Sequence, residues 1–176
     1  MAQFSFLSSA DAAPSRAFAG GAFIAKFLEA QNRVYPQALG ELRAGHKRTH
    51  WMWFIFPQII GLGRTATARH FAVETLDQAE AYLAHPVLGG RLRECTQAVL
   101  LHGPGGVAPR NLLQIFGTPD DLKFHSSMTL FRRADPDETL FSRALRAFFR
   151  SKEDQATLDL LAAQRHQPPL APWRDH

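Results

Sequence analysis

Cysteine is almost missing from this chain. Cys95 stands alone, so no intrachain disulfide can form and no cysteine-based zinc site can be assembled. That usage suits a reducing, cytoplasmic setting. Long apolar runs are missing too: none approaches the ~18 residues of a membrane span. The first residues, MAQFSFLSSADAAPSRAFAGG, have no basic region ahead of their short apolar stretch, which argues against a secretory signal. There is no G-x-S-x-G nucleophile elbow, no Walker loop, no zinc-ribbon spacing and no internal repeat.

What is present bounds the fold. A length of 176 residues suits one domain, and 45% hydrophobic with 20% charged residues is enough to bury a core. A formal charge of +4 is mildly basic and compatible with an anionic ligand. Residues 1–19 read as a flexible leader, 20–164 as a single domain, and the proline-containing 165–176 as a tail.

Apolar spacing predicts helices along most of the domain. Phe23, Phe27 and Ala30 mark one over about 21–32. Pro36 suits the first turn of a second helix, with Leu39 and Leu42 on its buried face and Gly45 as a left-handed cap. In 51–56 both alternating faces are apolar, so a buried strand and a buried helix are equally allowed. A short helix from Arg64 to Phe71 follows, then one capped by Thr75 with Gln78 three residues on. Leu88, Leu92, Cys95 and Val99 define the clearest helix, opened by Pro86. Pro109–Phe116 is short. Thr118 as cap with Pro119, Asp120 and Asp121 in the first turn starts the next, toward Arg132. Two more begin near Asp135 and Lys152. The fold expected is mainly α: one compact domain of about eight helices, with at most a short strand near 51–56.

Three segments contain residues suited to chemistry. In 46–58, His46, Lys47, Arg48 and His50 abut Trp51 and Trp53; cations beside indoles suit a stacked base and a phosphate, although composition alone favours core plus a solvated edge. His46 and His50 have the i, i+4 spacing of metal ligands, but no third ligand accompanies them, so no metal is expected. GLGRTA (61–66) formally matches a dinucleotide fingerprint without the second strand–helix unit a Rossmann fold needs, leaving a loop whose amides or Arg64 touch an anion, or a plain loop. In 118–131, Asp120, Lys123 and Ser127 form a polar stripe beside Leu122, Ser126 and Thr129; the serines read equally as bonding back to helix carbonyls. Cys95 reads as core filler.

KRTHWMWFIFPQIIGLG (47–63), AHPVLGGRLREC (84–95) and IFGTPDDLKFHSSMTLF (115–131) resemble, in that order, an uncharacterised bacterial family, domain of unknown function 1810, some members of which are labelled calpastatin. The resemblance runs from about Phe27 to Leu161. It implies kinship with the YbiA-like (NADAR) superfamily, mainly helical proteins linked to NAD and ADP-ribose derivatives, some of them N-glycosidases. FLEAQ (27–31) resembles a helix in which those proteins place a site Glu a few residues earlier; here Ile24-Ala25-Lys26 has no carboxylate, and Glu29 is the nearest substitute.

The implied activity is hydrolysis of an N-glycosidic bond in an ADP-ribose or NAD derivative, without cofactor or metal. Asp120 or Asp121 would be the carboxylate at the developing oxocarbenium ion, and His50 would protonate or orient the leaving group. Lys47, Arg48, Arg64 and Lys123 would serve phosphates, Trp51 or Trp53 the base, and Gln58, Ser126 or Ser127 the ribose hydroxyls. The alternative is a non-catalytic module binding a nucleotide, nucleic acid or protein, with nucleic acid the less favoured partner and no membrane association expected.

Overall fold

The computed structural model describes residues 16–165, with the side chains of 20–165. Residues 1–15 and 166–176, most of the expected leader and tail, lie outside the described residues. Nine helices occupy the described chain: α1 (Arg16–Arg43), α2 (Met52–Ile55), α3 (Ala66–His70), α4 (Leu76–Ala84), α5 (Pro86–Leu100), α6 (Leu112–Phe116), α7 (Asp120–Ala134), α8 (Thr139–Phe149) and α9 (Gln155–Arg165). The fold is all-α. Among these, none is long and apolar enough to cross a membrane.

Two local expectations are corrected, those at Pro36 and Thr118, and the choice left open at 51–56 is decided. The two helices drawn around Pro36 are one, α1, because the buried stripe Phe23, Phe27, Gln31, Ala38 and Leu42 continues across it. Pro36 lies on the exposed side, where solvent reaches the Asn32 carbonyl that loses its partner. The 51–56 segment is a single helical turn, and the only bridge among the described residues pairs Ile59 with Val73. Thr118 does not cap α7: Pro119 occupies the cap position without a side-chain bond, and the Asp121 amide donates to the Gly117 carbonyl instead.

The expected Thr75 cap holds: its side chain accepts the Gln78 amide. Thr65 and Asn111 cap α3 and α6 in the same way, and Asn111 forms a reciprocal box with Gln114. His85 caps α5 through Nδ1, which accepts the amides of Val87 and Leu88.

α7 is the central element, packed on α4, α6, α8 and α9, while α5 packs on α1, α4 and α8. An aromatic chain joins the 51–56 turn to it: Trp51 and Phe56 meet Phe116, and both Phe56 and Phe116 meet Phe124, with centroids 5.0 to 6.5 Å apart. Burying a side chain such as Phe124 contributes about 1.5–3 kcal/mol, and edge-to-face contacts add to that. The buried polar group Gln31 is satisfied: its amide donates to the Phe54 carbonyl (2.7 Å) and the Tyr82 hydroxyl (2.8 Å). These contacts hold Phe54 against α1 and Phe56 against α7, and the Lys47 amide donates to the Ile115 carbonyl (2.7 Å) at the end of α6, just ahead of α7.

Candidate functional site

α1 ends where Gly45 adopts φ +68°, with the amides of Gly45 and His46 donating to the Leu42 and Glu41 carbonyls. The chain then folds back around the Glu41 side chain. This buried carboxylate accepts the amides of Arg48 (2.8 Å) and Thr49 (3.1 Å), the Thr49 hydroxyl (2.7 Å), the Trp51 indole N–H (2.8 Å) and the Gln37 side-chain amide (3.3 Å). Burial pushes its pKa up, but the donors from Arg48, Thr49 and Trp51 outweigh that and bring it to about 2. Sequence reading passed over Glu41. Its signal was position: a carboxylate in the last turn of a helix opposes the dipole and needs another reason to be there.

The loop that Glu41 organises delivers Lys47 to α7. Lys47 Nζ and Lys123 Nζ each lie 2.7 Å from an oxygen of Asp120, and all three side chains are largely buried. Burial would raise the Asp120 pKa; the two ammonium groups hold it below the usual carboxylate value. The lysines also sit over indoles, Lys47 at 5.3 Å from the Trp51 centroid and Lys123 at 4.6 Å from that of Trp53. The 46–58 and 118–131 segments therefore meet, with Lys47, Asp120, Lys123 and Trp53 together. As a charge unit, however, Asp120 is already compensated by two cations, which weakens it as a stabiliser of a third positive charge.

Asp121 faces elsewhere, since consecutive helical residues point about 100° apart. It lines a cavity of ≈ 560 Å³ with His102, Arg110, Leu112, Leu122, Phe148 and Phe149, between the 102–111 loop, the start of α7 and the end of α8. Its Oδ1 is inaccessible to solvent and has no hydrogen-bond partner. His102 is held in place by donating from Nε2 to the Leu42 carbonyl (2.9 Å). Gly45 is obligatory here for two reasons. Its φ is left-handed, and a Cβ would lie 2.7 Å from Arg110 Cδ and 2.8 Å from His102 Cε1. The Arg110 guanidinium is exposed, with no hydrogen-bond or carboxylate partner among the described residues.

The other expected site residues are dispersed. Trp51 is 1% exposed, so no face is open to a base, and stacking falls to half-buried Trp53 alone. His50 and Arg48 are exposed, and neither lines the Asp121 cavity, so the expected pairing of His50 with Asp121 is not made there. Gln58 is half-buried and uses its carbonyl to accept the Val73 amide. Arg64 is exposed; its carbonyl is gripped by the Arg69 guanidinium, while Thr65 occupies the α3 amide a phosphate would need. Ser126 bonds to the Leu122 carbonyl and to Asp154, and Ser127 is fully buried without a partner. Neither hydroxyl is open to a ribose. His46 and His50 stand in irregular chain, where i, i+4 spacing defines no common face, and among the described residues no three His, Cys, Asp or Glu side chains gather as a metal site. Cys95 is buried and its thiol is pushed up to about 12, chiefly by that burial.

Comparison with known proteins places this geometry in context. The family described as "Protein of unknown function (DUF1810)" matches residues 22–161. The crystal structure of the conserved hypothetical protein Rv1873 from Mycobacterium tuberculosis is similar at 46% identity and a TM-score of 0.74, over 79% of this chain and 96% of that one. No protein of curated function matches.

Proposed function

The chain belongs to the DUF1810 family, whose description assigns no activity, and on that premise we propose that it binds a phosphate-bearing ribosyl compound in the Asp121 cavity and hydrolyses its N-glycosidic bond. The observation that carries the reading is Asp121 on the cavity wall, a half-buried carboxylate whose other oxygen, Oδ1, is buried without a hydrogen-bond partner. A carboxylate with an oxygen left without a donor costs stability, which a ligand hydroxyl or a water bound at the carboxylate would offset. The cavity volume falls in the range of small-molecule sites. Phe148 and Phe149 supply apolar surface for a base, and exposed Arg110 a cation for phosphate. The ADP-ribose or NAD-like substrate class follows the YbiA-like kinship read from the sequence.

In this reading Asp121, rather than Asp120, is the working carboxylate. It takes a proton from water as the water oxygen bonds to the anomeric carbon and the C–N bond breaks; that proton then passes to the leaving base or, where the base departs neutral from a pyridinium, to solvent. Lys47, Asp120 and Lys123 fix the start of α7 and so the direction of Asp121.

The test is release of free base from ADP-ribose- and NAD-type compounds, followed chromatographically, with binding measured in parallel by calorimetry. Turnover that Asp121→Asn abolishes while binding persists supports hydrolysis. Binding without turnover in the unaltered protein leaves a nucleotide-binding module, and no binding removes the site.

A further inference from the structure

A second cavity, on another part of α8, has a different character. It measures ≈ 460 Å³ and is lined by Arg132, Thr139, Ser142, Arg143, Arg146 and Ser151. We infer that this groove is a site for a small polyphosphate, separate from the Asp121 cavity.

Charge is the first reason. Arg143, Arg146 and Arg150 are exposed along one face of α8 and its end, at i, i+3 and i+7, and exposed Lys152 follows. None of the four has a carboxylate partner among the described residues. The acidic side chains that follow α8 are already engaged, while exposed Asp137, ahead of Thr139, has no cation partner among the described residues. Glu153 is shared by Arg132 (2.8 Å) and Arg133, and Asp154 accepts from Ser126, Thr157 Oγ1 and the Thr157 amide. One carboxylate for two guanidiniums leaves the groove with excess positive charge even at its most shielded arginine.

Helix electrostatics do not account for this. A helix dipole favours a cation in the last turn, which explains Arg146. Arg143 lies a turn further in, and like charges at i, i+3 and i, i+4 repel across a helix surface. An anion bridging them would turn that repulsion into binding.

The backbone supplies a second, independent reason. Arg150 (φ 54°) and Ser151 (φ 63°) are consecutive non-glycine residues in the left-handed region. Glycine would adopt that conformation at lower cost. The turn instead retains a guanidinium at one position and, at the other, a hydroxyl on the groove wall. With Ser142, whose Oγ accepts from Arg132 Nε (3.3 Å), and Thr139, the wall offers hydroxyl donors between guanidiniums. That donor set matches phosphate oxygens, which guanidiniums engage in pairs.

The probe is inorganic tripolyphosphate titrated into the full chain by calorimetry at constant ionic strength, against Arg143→Gln/Arg146→Gln and the control Arg64→Gln. Both altered arginines are exposed, so the folded state is retained, and a thermal melt without ligand checks this. The expected result is saturable binding, weakened at least about tenfold in the double variant and unchanged in Arg64→Gln. Absence of binding, or equal affinity in the double variant, overturns the assignment. A single-stranded oligonucleotide of about 12 nucleotides forms the second arm. Tighter binding of that strand than of tripolyphosphate, through the same arginines, overturns the small-molecule ligand in favour of a nucleic-acid backbone.

Discussion

Replacing Glu41 by Gln changes one carboxylate oxygen into an amide nitrogen inside a cage of five donors. The glutamine retains the shape, but its NH₂ must face at least one N–H or O–H that previously donated to oxygen. The cost follows from the proton affinity of the native group. A carboxyl brought from 4.5 to about 2, at about 1.4 kcal/mol per pH unit, has its ionised form stabilised by about 3 kcal/mol on folding. For a chain of this size that corresponds to a fall in Tm of about 6–12 °C at neutral pH. The sign with pH is fixed as well. Because the folded pKa is depressed, the stabilisation is complete above 4.5 and is lost as pH falls toward 2. Thermal unfolding of wild type and Glu41→Gln from pH 7 to pH 3 by circular dichroism reads both effects. The reasoning is refuted if the two proteins melt within about 1 °C of each other at pH 7, or if their difference does not shrink on acidification.

Asp120→Asn leaves Lys47 and Lys123 without their shared carboxylate and should cost about 1–3 kcal/mol in urea unfolding at pH 7. Its depressed pKa adds that the wild-type advantage persists at neutral pH and fades as pH drops below the ordinary carboxylate value. Gly45→Ala forces a Cβ into Arg110 and His102 at a left-handed residue; a loss of about 2–3 kcal/mol is expected, together with weaker ligand binding in the Asp121 cavity, read by melting and calorimetry. Ser127→Ala removes a fully buried hydroxyl that has no partner, so stability should hold or rise by about 1 kcal/mol; a comparable loss in urea titration would show that the hydroxyl is bonded after all.

The fold was legible in the sequence wherever its signals were local. Apolar spacing located α5, and the Thr75 cap located α4, because cap and helix lie within four residues of each other. Pro36 misled because its effect depends on which side of the helix it faces, and only packing across its flanks sets that. Trp51 misled for a similar reason: its indole N–H is committed to Glu41, ten residues away, a pairing no short-range pattern marks. At the site, the meeting of Lys47 with the start of α7 was expected from the two distinctive segments. The separate directions of Asp120 and Asp121 were not distinguished, since both suit a first helical turn and only the tertiary fold assigns one to lysines and the other to a cavity. Arg110 and His102 were missed because they lie in a loop without periodicity.

A crystal structure of the chain soaked with ADP-ribose tests the central claim most directly. The account predicts ligand in the Asp121 cavity, with a ribose hydroxyl donating to the Asp121 carboxylate, the base against Phe148 or Phe149, and phosphate at Arg110. Ligand stacked on Trp53 beside Lys123, with the Asp121 cavity empty, would contradict it.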